Sequence, residues 1–383
     1  MSQTRLRQAT VRTIKEESPH HQEVTVELQE GVRGTAINYT GLVGPLEVGD
    51  RVIINTTAVT LQLGTGGYHF VLCKQDSPDT RLDAKGHAIK LRYTPVQFCC
   101  DLIEEHMEGP IPPRPLADMP VVVCEIHSQL PLVLAGIRAR LPRARLAYIL
   151  TEGGALPGAV SHLLRQIRSR GLVDVVMSAG QAFGGDYEAV NVYSALVAAR
   201  LMVDCDAAVI AMGPGQLGSG TELGFSGTEQ ADNLNRVSSL GGIAVAVLRL
   251  SHQDPRPRHQ GISHHTVTVL NQLTLDRCLY AFPRELVSNP FWQRERNKLQ
   301  RRHWAGEVPG TPAVEYLERS GFHVETMGRA YQADPAFFLA AGAAGELAAR
   351  LLKWDVRLAR YSDKGSRGQE RRKARTSHAL PLR

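Results

Sequence analysis

From residue 119 onward, six runs dominated by apolar residues recur: PVVVC (120–124), RLAYIL (145–150), VDVVMS (173–178), AAVIAM (207–212), IAVAVLRL (243–250) and RCLYAF (277–282). Their starts lie 25–36 residues apart. Between them, stretches such as QLPLVLAGIRARL, PGAVSHLLRQIRSRG and DYEAVNVYSALVAARLMV repeat apolar positions at helical spacing. A strand covered on both faces reads as a continuous apolar run, and helices between such strands supply the cover. The pattern predicts a doubly wound, mostly parallel α/β sheet, a Rossmann-like domain over residues 119–287. Residues 288–355 read as a helical extension. Its clearest stretch, PAFFLAAGAAGELAARLLKW, predicts a helix that packs on the sheet or forms the seam of a homodimer.

The first 75 residues carry a different rhythm. VTVEL (24–28), GTAINY (34–39), RVIIN (51–55) and YHFVLC (68–73) are short β-rich runs separated by Gly- and Pro-rich turns. Such spacing predicts a small β-barrel or sandwich. Residues 76–118 are polar and Pro-rich and read as a linker, with a strand or short helix in IKLRYTPVQFCCDLIEEHM.

Charge separates the tail from the body. Residues 356–383 hold nine of the 44 Lys/Arg and two of the 38 Asp/Glu, a charge of +7, so the rest of the chain carries −1 of the overall +6. The tail is expected to be disordered. Any nucleic-acid binding is expected through it, not through the body. Neither an apolar run of 18 residues nor a secretory leader is visible, so the expectation is a protein without membrane contact. Six scattered cysteines in 383 residues suit a reducing, cytoplasmic setting.

Reactive side chains collect after the apolar runs. Glu125-Ile126-His127-Ser128 follows the first, Thr151-Glu152-Gly153-Gly154 the second, and a segment holding Gly185 and Asp186 the third. The fourth is followed by GPGQLGSGTELGFSGTE (213–229), with Gly213, Gly215, Gly218, Gly220 and Thr221. The fifth is followed by SHQDPRPRHQGISHHT (251–266), with four of the 14 histidines, His252, His259, His264 and His265. In an open α/β sheet these loops fall at one edge, where such folds bind ligands. Arg256 and Arg258 can clamp an anion. His259, His264 and His265 can move protons or ligate a metal, and Asp254 or Asp186 can orient a histidine or join a divalent metal. Glu152, His127 and Gly185 join the expected crevice lining. The plainer reading of Asp186 and Glu188 is the capping of a helix that starts there.

Gly213 to Gly218 matches G-x-G-x-x-G, but after the fourth strand and not ahead of an immediate helix. That argues against NAD or FAD and for an anion-cradling loop.

Several strings together, AINYTGLVGPLEVGDRVIINTTAVTLQLGTGGYHFV, GHAIKLRYTPVQ, GGDYEAVNVYSAL, MGPGQLGSGTELGFSG and RPRHQGISHHT, resemble a bacterial family, domain-of-unknown-function family 3866. The resemblance covers about residues 5–355. It implies a soluble bacterial protein and assigns no reaction.

The function expected from the residues is an enzyme, a hydrolase or transferase, acting on a small anionic metabolite at the strand ends. A non-catalytic ligand sensor using the same crevice is the second reading. A nucleic-acid-associated protein using barrel and tail is the third, weakened by the −1 body.

Overall fold

The computed structural model describes residues 4–29, 31–64, 66–76, 86–299, 302–353 and 358–359. The basic tail, apart from its short strand at 358–359, lies outside the described residues.

The N-terminal unit is a closed barrel of β1 (Leu6–Glu17), β2 (Gln22–Leu28), β3 (Arg33–Asn38), β4 (Arg51–Asn55) and β5 (His69–Lys74), in the order β1-β2-β3-β5-β4. Two helical turns, α1 (Thr40–Val43) and α2 (Thr57–Thr60), connect its strands. Alternating residues such as Val11, Val24, Val26, Val52 and Ile54 point inward and are fully buried. β1 escaped the apolar-run criterion because its 12 residues are mostly polar and only Ala9 and Val11 enter the core. Cations on the barrel's outer face are paired with acids, Arg12 and Arg33 with Glu27 and Lys15 with Glu23.

The expected linker holds a two-stranded sheet, β6 (Ala88–Lys90) with β7 (Phe98–Cys100). It is anchored to the α/β unit by Lys90. The Lys90 ammonium is buried and donates to Ser178 O, Ala182 O and, at 2.5 Å, to Glu188.

All six apolar runs form strands: β8 (Pro120–Val123), β9 (Leu146–Thr151), β10 (Val175–Ala179), then after β11 (Tyr187–Ala189), β12 (Ala207–Met212), β13 (Ile243–Ala246) and, beyond the short pair β14 (Leu250–Ser251) and β15 (Gly261–Ile262), β16 (Leu279–Pro283). β17 (Trp304–Val308) and β18 (Leu358–Ala359) complete the sheet. The order is β11-β10-β9-β12-β8-β13-β16-β17-β18, parallel except for β18. β17 comes from the region read as purely helical. The apparent helix start at Asp186 is instead edge strand β11. The helix that follows it begins at Val192, capped by the Asn191 side chain.

Two layers of helix cover the sheet. On one face lie α3 (Leu130–Arg140) and α4 (His162–Ser169), with α9 (Thr311–Arg319) and α10 (Pro335–Leu352) beside α3. On the other lie α5 (Val192–Leu201) and α6 (Glu229–Ser239), followed by α7 (His264–Thr268) and α8 (Pro290–Arg296). Neighbouring strand residues serve opposite layers, Val122 the first and Val121 and Val123 the second.

Helix α10 is long and apolar enough to cross a membrane by length and composition, but 83% of it is buried within the chain. It is a core helix, packed on α3 and the sheet. Small residues let it approach α3. A Cβ on Gly136 would meet Gly342 O at 2.5 Å and Glu346 N at 3.0 Å, and one on Gly345 would collide with Val133 O. The obstructing atoms are backbone and cannot rotate away. Gly345→Ala is therefore expected to destabilise the protein by about 1–3 kcal/mol despite the better helix propensity of Ala. A chemical-denaturation midpoint equal to wild type would refute the close crossing.

Candidate functional site

The strand order places the site. From β8 the chain steps over to β9 and on to β10 and β11, returns as β12 between β9 and β8, and then continues on the far side of β8 as β13. The loops leaving β8 and its two neighbours therefore diverge, which opens a crevice at their carboxyl ends.

A cavity of about 160 Å³ sits there. The loop after β12 lines it with Gln216, Leu217, Gly218, Gly220, Thr221 and Phe225, and the segment after β13 with Arg256, Arg258, His259, His264 and His265. No acidic residue is in that lining.

The histidines are set by local chemistry. β14 and β15 pair as a small antiparallel ladder, and Ser263 N donates to Arg249 O, so the 251–266 segment is a folded-back hairpin. Ser263 then caps α7, its Oγ accepting from His265 N at 3.2 Å. His264 and His265 are thereby the first two residues of the helix, which runs on into a π-helical turn, Val269–Leu273. The same Ser263 Oγ holds His259 Nδ1 at 2.8 Å. The Phe225 ring stacks on His265 at 3.7 Å, nearly parallel.

Behind the lining lies Glu125, fully buried, at the exit of β8. Its Oε1 accepts from His265 Nδ1 at 2.8 Å and from an Arg249 guanidinium N–H at 3.1 Å, and its Oε2 accepts from Thr266 Oγ1 at 3.3 Å. Burial opposes its ionisation, but the His265 and Arg249 donors outweigh that and hold the carboxyl down at about 2. Asp254, also buried, holds Arg256 by two bonds of 2.9 Å, with Arg249 at 3.6 Å and Arg329 at 3.5 Å. Burial opposes its ionisation, but the Arg256 bonds outweigh that and keep Asp254 well below the usual carboxylate range. Burial, then the neighbouring Arg249 and Arg256, depresses His259 to about 3. Burial and the adjacent His265 lower His264.

The expected site residues divide. His259, His264, His265, Arg256, Arg258, Gly218, Gly220 and Thr221 line one cavity. Both members of the adjacent histidine pair face it, one at the helix start and the other beneath Phe225. Asp254 stands behind, holding arginines and not a histidine. Asp186 is elsewhere: it bonds Val176 N near the start of β10 and pairs with Arg168 on α4. Gly185 N donates to Ser178 Oγ, and a Cβ there would strike β10. Glu152 accepts from Gln181 N and joins the exits of β9 and β10. His127 is buried between Met212 O at 3.0 Å and Ser161 Oγ at 2.7 Å, and burial depresses it to about 4. Gly213 packs against Ala155, and Gly215 adopts a positive φ in open space.

Sequence reasoning placed Glu125 at a strand exit but gave it no role, and passed over Arg249, Gln216 and Phe225. The available signal was charge inside apolar runs: Arg249 sits within IAVAVLRL and Glu125 directly follows PVVVC. A charge so placed must be paired.

These features define a two-part α/β protein with a histidine- and arginine-lined cavity at the strand ends. The chain belongs to the family described as Protein of unknown function (DUF3866), whose model matches residues 35–345. No curated protein and no solved structure matches it.

Two predictions test this electrostatic frame. Glu125→Ala leaves Arg249 and His265 facing a buried void and is expected to cost about 3–5 kcal/mol. A loss within 1 kcal/mol in urea unfolding would show the network to be dispensable. Glu229, half-buried at the start of α6, accepts from Thr151 Oγ1; burial raises it from 4.5 to about 7, with Glu152 adding to the rise. A raised carboxyl means the folded state binds the extra proton between pH 4.5 and 7. Stability is then full below 4.5 and falls as pH rises through 7. Glu229→Gln is expected to remove that fall, by about 2 kcal/mol at pH 8 after allowance for solvent screening. Parallel wild-type and variant stability curves from pH 5 to 8 would contradict it.

Proposed function

We propose that the protein is an enzyme acting on a small anionic metabolite bound in this cavity. The observation that carries the reading is the lining's imbalance: cations and hydrogen-bond donors without a carboxylate. Arg256 is committed to Asp254, but Arg258 is exposed on the cavity and its guanidinium is the group left to meet an anion. Gln216 supports it: its Oε1 accepts from Arg249, while its buried Nε2 has no partner. Gly218 and Gly220 carry no side chain into the opposite wall, so backbone at those two positions can approach a ligand. The depressed His259 and His264 are neutral at pH 7 and offer lone pairs where the anion would react.

The two arginines separate this reading from a merely structural loop. Arg258→Ala is expected to leave the melting temperature of ligand-free protein unchanged and to abolish stabilisation by phosphate. That stabilisation should reach about 2.7 kcal/mol in wild type at a hundredfold excess over Kd. Arg256→Ala breaks two charge-assisted bonds to buried Asp254 and should cost about 1.5–3 kcal/mol with or without phosphate. Equal phosphate stabilisation in wild type and Arg258→Ala would remove the anion site. Turnover of small phosphorylated or carboxylated metabolites, lost in Arg258→Ala, would establish the enzyme. Binding without turnover across such a panel would favour the sensor.

A further inference from the structure

We propose that His259, His264 and His265 form a binding site for a divalent transition-metal ion of the zinc class. One ring nitrogen from each lies within 4.8 Å of the others. A tetrahedral ion with Zn–N bonds of about 2.0–2.1 Å separates its nitrogens by roughly 3.4 Å, so rotations moving each ring by about 1 Å close the site.

Three separate features point the same way. His265 gives Nδ1 to the buried Glu125 carboxylate, which leaves the Nε2 lone pair for the cavity; this is the carboxylate–histidine arrangement that orients metal ligands. His259 has Nδ1 engaged by Ser263 Oγ, which likewise leaves Nε2. His264 Nε2 is buried and has no hydrogen-bond partner. A buried nitrogen without a partner is a cost that a metal bond removes. Proton transfer needs one imidazole, whereas three converging nitrogens are what an ion needs. No thiol lines the cavity, so the donor set is all-nitrogen and suits zinc, cobalt or nickel.

Three protein ligands leave a further coordination position, and Arg258 lines the same cavity as the three histidines. A small oxyanion there would bridge metal and guanidinium. This inference rests on the anionic-substrate reading only for what fills that last position.

The test uses the full-length protein, stripped with chelator and titrated with Zn²⁺ and with Co²⁺. One ion per chain by elemental analysis is expected, with the intense visible ligand-field bands of a low-coordinate Co²⁺. His264→Ala removes a ring whose Nε2 holds nothing, so the fold should survive, while Zn²⁺ affinity falls by about tenfold or more. His252→Ala, on a ring packed against Phe291 and Trp292, should leave affinity unchanged. Substoichiometric metal with no cobalt bands in wild type overturns the proposal without recourse to any variant. So does undiminished affinity in folded His264→Ala. Phosphate titration of the stripped protein keeps the two readings apart. Arg258-dependent phosphate binding without a metal site would leave the anion reading standing alone. A histidine-dependent metal site whose protein ignores phosphate would do the reverse.

Discussion

Glu125 leaves the central strand with no solvent to ionise into, and its charge persists because Arg249, His265 and Thr266 bring donors to it. An ion pair in such a place adds little net stability over an apolar packing, since desolvation offsets the attraction. What it contributes is position. Arg249 and His265 lie on opposite sides of the 251–263 hairpin, and one carboxylate fixes both. The cavity's back wall is therefore tied to the sheet, although its sequence is that of a polar surface loop. Gln129 extends the tie, accepting from Glu125 N and donating to Leu248 O.

The sheet creates the vacancy that this network fills. The exit of β8 leads to α3 on one face of the sheet, whereas β12 and β13 on either side of it lead to segments that cover the other face. The segment after β12 returns through a Gly218–Phe225 bridge and lays Phe225 on His265. A ring stacked this closely holds the plane of the imidazole. The two walls are thus built by different means. Glycines and one aromatic make the first, and buried charge makes the second.

Most of the architecture was legible because strands buried on both faces must be apolar throughout, and all six such runs are strands. β1 and β17 were not legible, since an alternating barrel strand and a short strand between helical segments give no continuous run. The strand-end crevice was legible as a region. Its membership was not, because a loop's sequence does not reveal which side chains are already spent. Arg256 and Arg258 look alike on paper, two residues apart. A buried Asp254 takes one and leaves the other. Asp186 reads as a crevice acid because it follows the third apolar run, with the capping of a helix as the plainer reading. The edge strand that forms instead turns it toward Val176 and Arg168.

Charge accounting in and behind the lining explains why an anion suits the cavity. Glu125, Asp254 and Asp334 are buried, and Arg249, Arg256 and Arg329 pair with them. The three acids and three arginines balance, which low-dielectric surroundings demand. Arg258 stands outside that balance on the cavity, beside His259 and His264, whose basicity burial lowers. A cation added at the histidines would raise the positive potential further, and alone it would be repelled by Arg258. The same pair of charges becomes favourable when an oxyanion lies between them, because each attraction is short and the repulsion is across the ligand's full width. Metal and anion would then each favour the other's binding, a reciprocity that linkage requires. The proposed ion and the proposed substrate thus have a common physical origin, a neutral buried frame carrying one uncommitted guanidinium.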